Sequence, residues 1–228
     1  MNHNHASIAR TGTPWPDVRL LLAALALCGA LGGCVALAGG AVVGGAVMAV
    51  DRRTTGAQID DQTIEMRAAN AVTAAIGDRG NVSATSYNRV VLLTGQVPTE
   101  ADRSKVEATI AKVENVRAVV NELAVMPNSS FNQKTTDSFT TSKVKAALFE
   151  TKGLQAAAIK VITERNVVYL LGRVTEAEAN TAANVARGVS GVSKVVKVFE
   201  IITPAELAAI QASVAPASAP APAPAKRP

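Results

Sequence analysis

The sequence predicts an α+β protein built from two copies of one small module, and three observations lead to this prediction. An apolar, strand-like run containing a glycine begins at Val90 (VVLLTGQV) and again at Val167 (VVYLLGRV). A second signature, V-x-x-V-x-x-V-V, begins at Val113 and at Val189. Apolar residues recur at helical spacing before and after each strand-like run. We therefore expect two tandem α-β-β-α-β modules, each with a three-stranded mixed sheet packed on two helices.

The N-terminal segment, residues 1–33, has the pattern of a lipoprotein signal peptide. Two arginines precede an apolar run of twelve residues that begins at Leu20. That run is too short to cross a bilayer comfortably and is typical of a secretory signal. It ends in Leu31-Gly32-Gly33-Cys34, which resembles a bacterial lipobox and implies cleavage before Cys34 and acylation of that residue. A plain signal peptide, or an uncleaved helix with an incidental cysteine, is the alternative.

Residues 34–61 are predicted to connect the lipidated cysteine to the first module. Residues 35–50 are apolar but rich in glycine, which favours a membrane-proximal tether over a spanning helix. Residues 51–61 are polar and are predicted to be a linker. A valine follows Cys34 where an aspartate would signal retention in the inner membrane, so sorting to the outer membrane is favoured.

The first module is predicted over residues 62–126 and the second over residues 137–203, joined by a polar linker at 127–136. In each module we expect a helix, a hairpin, a second helix and a last strand. Gly95 and Gly172 are predicted to meet backbone requirements at a strand end or bulge, and Asp137 or Ser138 is predicted to cap the first helix of the second module. Each sheet needs a cover for its open face, and the other module is the expected cover.

The C-terminal residues 204–228 are predicted to be an Ala/Pro-rich disordered tail. Residues 204–214 alone have the composition of a short helix, whereas alternating alanine and proline follow from residue 215. Such alternation predicts an extended segment that does not pack.

These residues resemble a known family. The stretches that carry the likeness are 56–61, 90–95, 137–144 and 174–178, and they resemble BON domains. With the lipobox, the chain resembles the dual BON-domain lipoproteins of the Gram-negative outer membrane. The resemblance implies a lipid-anchored protein that faces the periplasm and binds anionic phospholipid, chiefly through its second module. It also implies enrichment at cell-division sites and a role in keeping the outer membrane intact.

Charge and composition narrow the possible functions. Residues 62–126 carry seven basic and seven acidic side chains, whereas residues 137–203 carry nine basic and six acidic ones. The second module is therefore the better partner for an anion. His3, His5 and Cys28 all lie in the predicted signal peptide, so the mature chain would contain no histidine and no free thiol. Such a chain lacks the side chains of the common metal, triad and thiol chemistries. We expect no enzyme activity, no cofactor, no metal site and no nucleic-acid partner.

The candidate site is the outward face of the first helix of the second module. If Val144 lies at the centre of the core face, Leu148 also faces the sheet, while Phe139 and Phe149 point away from it. Aromatic rings with basic flanks suit a membrane interface, where rings enter the acyl boundary and ammonium groups meet phosphates. The residues predicted to bind phospholipid are Phe139, Ser142, Lys143, Lys145, Ala146 and Phe149.

The expected ligand is an anionic phospholipid, such as phosphatidylglycerol or cardiolipin, in the inner leaflet of the outer membrane. In the family that the chain resembles, the position of Phe139 carries tryptophan. One alternative is that both Phe139 and Phe149 pack against the other module, or that the helix begins after Phe139. Another is a protein-interaction scaffold, in which these rings dock an envelope partner such as a cell-wall amidase activator or the outer-membrane protein assembly machinery.

Overall fold

The computed structural model describes residues 51–127 and 131–214, which form two successive α-β-β-α-β modules. The α+β class and the mixed sheets are therefore confirmed. The predicted signal peptide, the predicted acylation site Cys34, the tether predicted over residues 35–50 and the residues after 214 lie outside the described residues.

The first helix, α1, spans Thr55–Ile76 and begins well before the predicted start of the module. Its N-cap is Thr54, whose Oγ1 accepts a hydrogen bond from the Ala57 N–H at 3.1 Å. The prediction that residues 51–61 are a linker is thus wrong for most of that stretch. The first two turns of the helix were missed because its buried stripe includes Asp61, a charged residue at a position where an apolar one would signal a helix.

The predicted hairpin of the first module is confirmed. Strands β1 (Asn81–Tyr87) and β2 (Val90–Val97) pair in antiparallel fashion. Asn88 and Arg89 connect them with φ values of 50° and 66°. Two successive left-handed residues form the type I′ turn that matches the twist of a hairpin.

The remaining elements of the first module differ in one detail from the prediction. Helix α2 spans Glu100–Ile110, but the single last strand expected over residues 116–125 is divided into β3 (Ala118–Asn121) and β4 (Ala124–Val125). Both pair in parallel with β2. The Asn121 side-chain oxygen accepts the Leu123 N–H at 3.2 Å, so a local turn interrupts the strand.

The second module repeats this order. Its elements are α3 (Phe131–Glu150), β5 (Ile159–Glu164), β6 (Val167–Val174), α4 (Glu176–Arg187) and β7 (Lys194–Ile201). Strand β6 is antiparallel to β5 and parallel to β7, and a left-handed pair, Arg165 and Asn166, again forms the hairpin turn. Helix α3 begins at residue 131, so the predicted linker over 127–136 is largely helical. Asp137 consequently lies inside the helix and is not its N-cap.

Each module has a core between its sheet and its two helices. In the first, side chains of α1 and α2 cover one face of β2; in the second, Val144 and Leu148 of α3 join small residues of α4 on β6. Alternate residues of β2 and β6 point to the opposite face of each sheet. Those opposite faces pack against one another through Tyr87, Leu92, Tyr169 and Leu171, all buried.

The two modules therefore cover each other's sheets, as expected. The hairpin turn of each module lies near the end of the other module's sheet that is farthest from its own hairpin turn. Near the first turn, Asn88 Nδ2 donates to Glu200 Oε2 at 2.7 Å, and near the second, Gln96 Nε2 donates to Glu164 Oε1 at 2.5 Å. Burial raises the pKa of both interface tyrosines, Tyr87 and Tyr169, to about 12.

A last helix, α5, spans Pro204–Val214, as the composition of that stretch indicated. The prediction of a disordered tail over residues 204–228 is therefore wrong for residues 204–214. Its first turn is capped by Thr203, whose Oγ1 accepts the Glu206 N–H at 3.2 Å. Its side chains contribute little to either core, since most of them are exposed to solvent.

Candidate functional site

The outward face of α3 carries the two most exposed aromatic side chains among the described residues. Phe139 is 69% exposed and Phe149 is 66% exposed, while Val144 and Leu148 on the opposite side are buried against the sheet. The rings do not pack against the other module, and the helix does not begin after Phe139, so both of these alternatives are wrong. Ten residues of helix place the two rings about 15 Å apart along its axis.

The other predicted residues lie on the same half of α3. Ser142 and Ala146 are exposed between the two rings. Lys143 and Lys145 are exposed on the two shoulders, where Lys143 Nζ makes a long contact of 3.4 Å with the Ser190 carbonyl oxygen. Helix α3 therefore brings all six predicted residues onto one surface that is apolar along its centre and basic at its sides.

The first module does not repeat this surface. Ile59 and Met66 are exposed on α1, at 59% and 67%, and no aromatic residue accompanies them. The two copies share a fold but differ in the chemistry of the corresponding outward helix face. Among the described residues, no helix is long and apolar enough to cross a membrane, and no group of histidine, cysteine or acidic side chains could hold a metal ion.

Two aspartates hold the hairpin turns, and sequence reasoning missed their role. Asp61 of α1 accepts the backbone N–H groups of Asn88 and Arg89 at 2.7 and 2.8 Å. Asp137 of α3 does the same for Arg165 and Asn166 at 2.8 and 2.9 Å. The signal was present in the repeat, because both aspartates precede the core residues of their helices by equal spacing. Each module thus uses a buried carboxylate to fix its turn.

The segment before α1 is bound to both modules. Arg52 donates two hydrogen bonds to the Glu178 carboxylate, at 2.6 and 2.8 Å, and a third to the Arg173 carbonyl oxygen at 2.9 Å. Arg53 binds Asp61 at 2.8 Å and lies over the Tyr87 ring, 4.4 Å from its centroid. Residues 51–53 therefore form an ordered anchor point, here called the arginine clamp, and not a flexible linker.

Several of these carboxylates are stabilised in their ionised form. Burial alone would raise the pKa of Asp61, but hydrogen bonds from Ser86, Arg89, Arg53 and Asn88 hold it below its ordinary value of 3.8. For Glu178 and Glu200, burial likewise opposes ionisation. Donors on Arg52 and Thr175 for Glu178, and on Asn88 and Arg117 for Glu200, keep both pKa values below 4.5.

We expect the free energy of unfolding to be constant near neutral pH and to fall as the pH drops below about 4. A carboxylate whose pKa is lowered by folding stabilises the protein above its unfolded pKa and loses that contribution as the pH falls through its folded pKa. Urea denaturation at neutral pH and at stepwise lower pH would measure the loss. Asp61→Asn should cost roughly 2–3 kcal/mol at neutral pH and flatten the acid dependence. If the free energy of unfolding of that variant fell with acid as it does in the unsubstituted chain, Asp61 would not be a source of the pH dependence.

Comparison with known proteins identifies relatives of the whole two-module body. A family model described as the BON domain matches residues 60–127 and 136–203. The chain is 45% identical over 196 residues to the outer membrane lipoprotein DolP of Haemophilus influenzae, with 84% of this chain and 99% of that protein covered.

Two further relatives match over shorter lengths. The chain is 35% identical over 155 residues to a 21 kDa hemolysin of Actinobacillus pleuropneumoniae, with 67% of this chain and 80% of that protein covered. It is 30% identical over 145 residues to the osmotically-inducible protein Y of Escherichia coli, with 60% and 70% covered.

Proposed function

The chain belongs to the BON-domain family, and from that premise we propose that it is an outer-membrane lipoprotein that binds anionic phospholipid through its second BON domain. The observation that carries the proposal is the outward face of α3. Two exposed phenylalanines lie between two exposed lysines on that face, and the first module has no counterpart. Such a face suits the boundary between acyl chains and phosphates.

The proposed location follows from two further observations. The sequence Leu31-Gly32-Gly33-Cys34 has the form of a lipoprotein cleavage site, and a relative with 45% identity carries the name of an outer membrane lipoprotein. In this proposal, acyl chains on Cys34 hold the protein on the inner leaflet, with both modules in the periplasm. Three acyl chains would anchor it stably, where a single chain binds only marginally.

The proposed cellular role is to support the integrity of the outer membrane at cell-division sites. In this role the acylated cysteine keeps the protein in the membrane, and α3 selects regions rich in anionic lipid such as phosphatidylglycerol or cardiolipin. Each exposed lysine near an anionic surface contributes roughly 1 kcal/mol, so Lys143 and Lys145 give selectivity while the rings give depth of insertion.

Co-sedimentation of non-lipidated residues 51–228 with vesicles tests the proposal. We expect binding to vesicles that contain phosphatidylglycerol or cardiolipin, little binding to vesicles of neutral lipid, and weaker binding at high salt, because screening acts on the lysines. The absence of binding to any vesicle would leave Cys34 as the sole membrane attachment. It would favour the alternative function, in which the same phenylalanines dock an envelope protein.

A further inference from the structure

A groove of about 380 Å³ runs between the two modules along one side of α3. The second module contributes Ser138, Thr141 and Lys145 from α3, and the first contributes Asn81 and Ser83 from the edge strand β1. Ser138 and Thr141 are three positions apart, and Thr141 and Lys145 are four apart, so the three side chains form one stripe along the helix. That stripe borders the outward face on which Phe139 and Phe149 lie.

An apolar pocket at the end of α3 adjoins the groove. This second cavity has a volume of about 170 Å³ and is lined by Leu148 and Phe149 of α3, by two alanines that precede β5, and by Ile159 of β5. Lys145 and Val161 line both cavities. The combined surface is therefore amphipathic, with hydroxyl groups at one end, an ammonium group in the middle and apolar side chains at the other end.

Lys145 is the charged group best placed for a ligand. Within residues 51–127 and 131–214, its ammonium group makes no hydrogen bond or ion pair with the protein, although a lysine has three donors. Lys134, at the hydroxyl end, uses one of its three donors within the protein, because its Nζ donates to Asn81 Oδ1 across the module boundary at 3.1 Å. Lys145 is thus the groove lysine with all three donors open to an incoming phosphate, and it also lies beside the apolar pocket.

Two carboxylates also line the groove, and both accept hydrogen bonds from the protein. Asp137 accepts from the turn of the second hairpin, and Glu164 accepts from Gln96 at 2.5 Å. Two lysines and two carboxylates leave the groove with no net charge. A free phosphate would gain little from such a site, whereas an amphiphile also fills the apolar pocket beside Phe149.

We propose that this groove is a subsite for the glycerophosphate part of a phospholipid, with the phosphate at Lys145, so that the first module completes the lipid-binding surface. This inference rests on the proposed function of α3 and extends it: the outward phenylalanines enter the membrane, while one lipid molecule is held at the module boundary. Binding through α3 alone would need only the second module. A lipid in the groove also contacts β1 of the first.

Photo-crosslinking of the full lipidated chain in vesicles tests the subsite. The probe is phosphatidylglycerol with a diazirine close to its headgroup, and mass spectrometry maps the labelled peptides. We expect label on residues 81–87 of the first module as well as on α3. Ser83→Glu, which adds a negative charge to the groove, and Lys145→Gln should each lower the labelling of residues 81–87 by roughly fivefold or more. Ser104→Glu adds the same charge on α2, outside the groove, and should change nothing.

The outcomes separate this inference from the proposed function. Labelling confined to α3 and unaffected by Ser83→Glu would overturn the subsite while leaving membrane binding by α3 intact. A lack of label on α3 would overturn the proposed function itself. Competition by millimolar glycerol 3-phosphate would show that a soluble phosphate suffices, which would overturn the assignment to a lipid.

Discussion

Replacing Gly95 with alanine is expected to lower the free energy of unfolding by at least about 3 kcal/mol. A Cβ atom at this position would lie 1.9 Å from the Asn81 carbonyl oxygen, and the backbone φ of 113° is one that alanine rarely adopts. Gly95 lies in β2, beside the antiparallel strand β1, so relief of the clash requires separation of the hairpin. Urea denaturation followed by circular dichroism would measure the loss.

Two other glycines are matched controls that separate the effect of the steric clash from the effect of the left-handed backbone. Gly172 in β6 would bring a Cβ atom within 2.5 Å of the Ala158 carbonyl oxygen, but without a left-handed backbone. Gly77 has a φ of 58° and nothing within 4 Å of the added atom, so Gly77→Ala should cost only about 1 kcal/mol. We expect losses in the order Gly95, Gly172, Gly77. An equal loss at Gly95 and Gly77 would show that the close approach has no effect.

The double substitution Phe139→Glu/Phe149→Glu is expected to weaken binding of residues 51–228 to anionic vesicles by about a hundredfold or more. Burial of one phenylalanine side chain contributes roughly 1.5–3 kcal/mol, and the two rings of α3 are both exposed and available for insertion. The new carboxylates would also repel anionic lipid. Co-sedimentation over a range of lipid concentrations would give the change in apparent Kd, and circular dichroism would confirm that the fold is retained.

The first module offers a control with the same change of charge. Ile59 and Met66 are exposed on α1, and Ile59→Glu/Met66→Glu adds two negative charges without touching α3. This variant should bind vesicles within a few-fold of the unsubstituted chain. Equal losses in the two variants would mean that total charge governs binding, and the specific role of α3 would then be wrong.

The fold was largely predictable because the sequence contains the module twice. Apolar strands near residues 90 and 167 and helical spacing on either side were enough to predict the element order and the mixed sheets. The starts of α1 and α3 were not predicted, because Asp61 and Asp137 occupy buried positions that normally carry apolar residues. Their partners are backbone N–H groups of a distant turn, and no local pattern indicates such a contact.

The exposure of Phe139 and Phe149 was predictable from helical geometry, since Val144 fixes which side of α3 faces the sheet. The role of the first module beside that helix was not predictable. Asn81 and Ser83 have no distinctive sequence pattern, and they approach α3 only because the two sheets pack with opposite ends together. The arginine clamp escaped prediction for the same reason, since Arg52 and Glu178 are far apart in the sequence.

If Cys34 carries the proposed lipid anchor, the arginine clamp would also determine how mechanical force enters the two modules. Tension in the envelope would then reach them through Asp51. Arg52 would transmit that tension to α4 through Glu178, and Arg53 would transmit it to α1 through Asp61. The pull would be shared between the two modules and would not unwind α1 one turn at a time. The body should therefore resist extension as one mechanical unit until the clamp breaks.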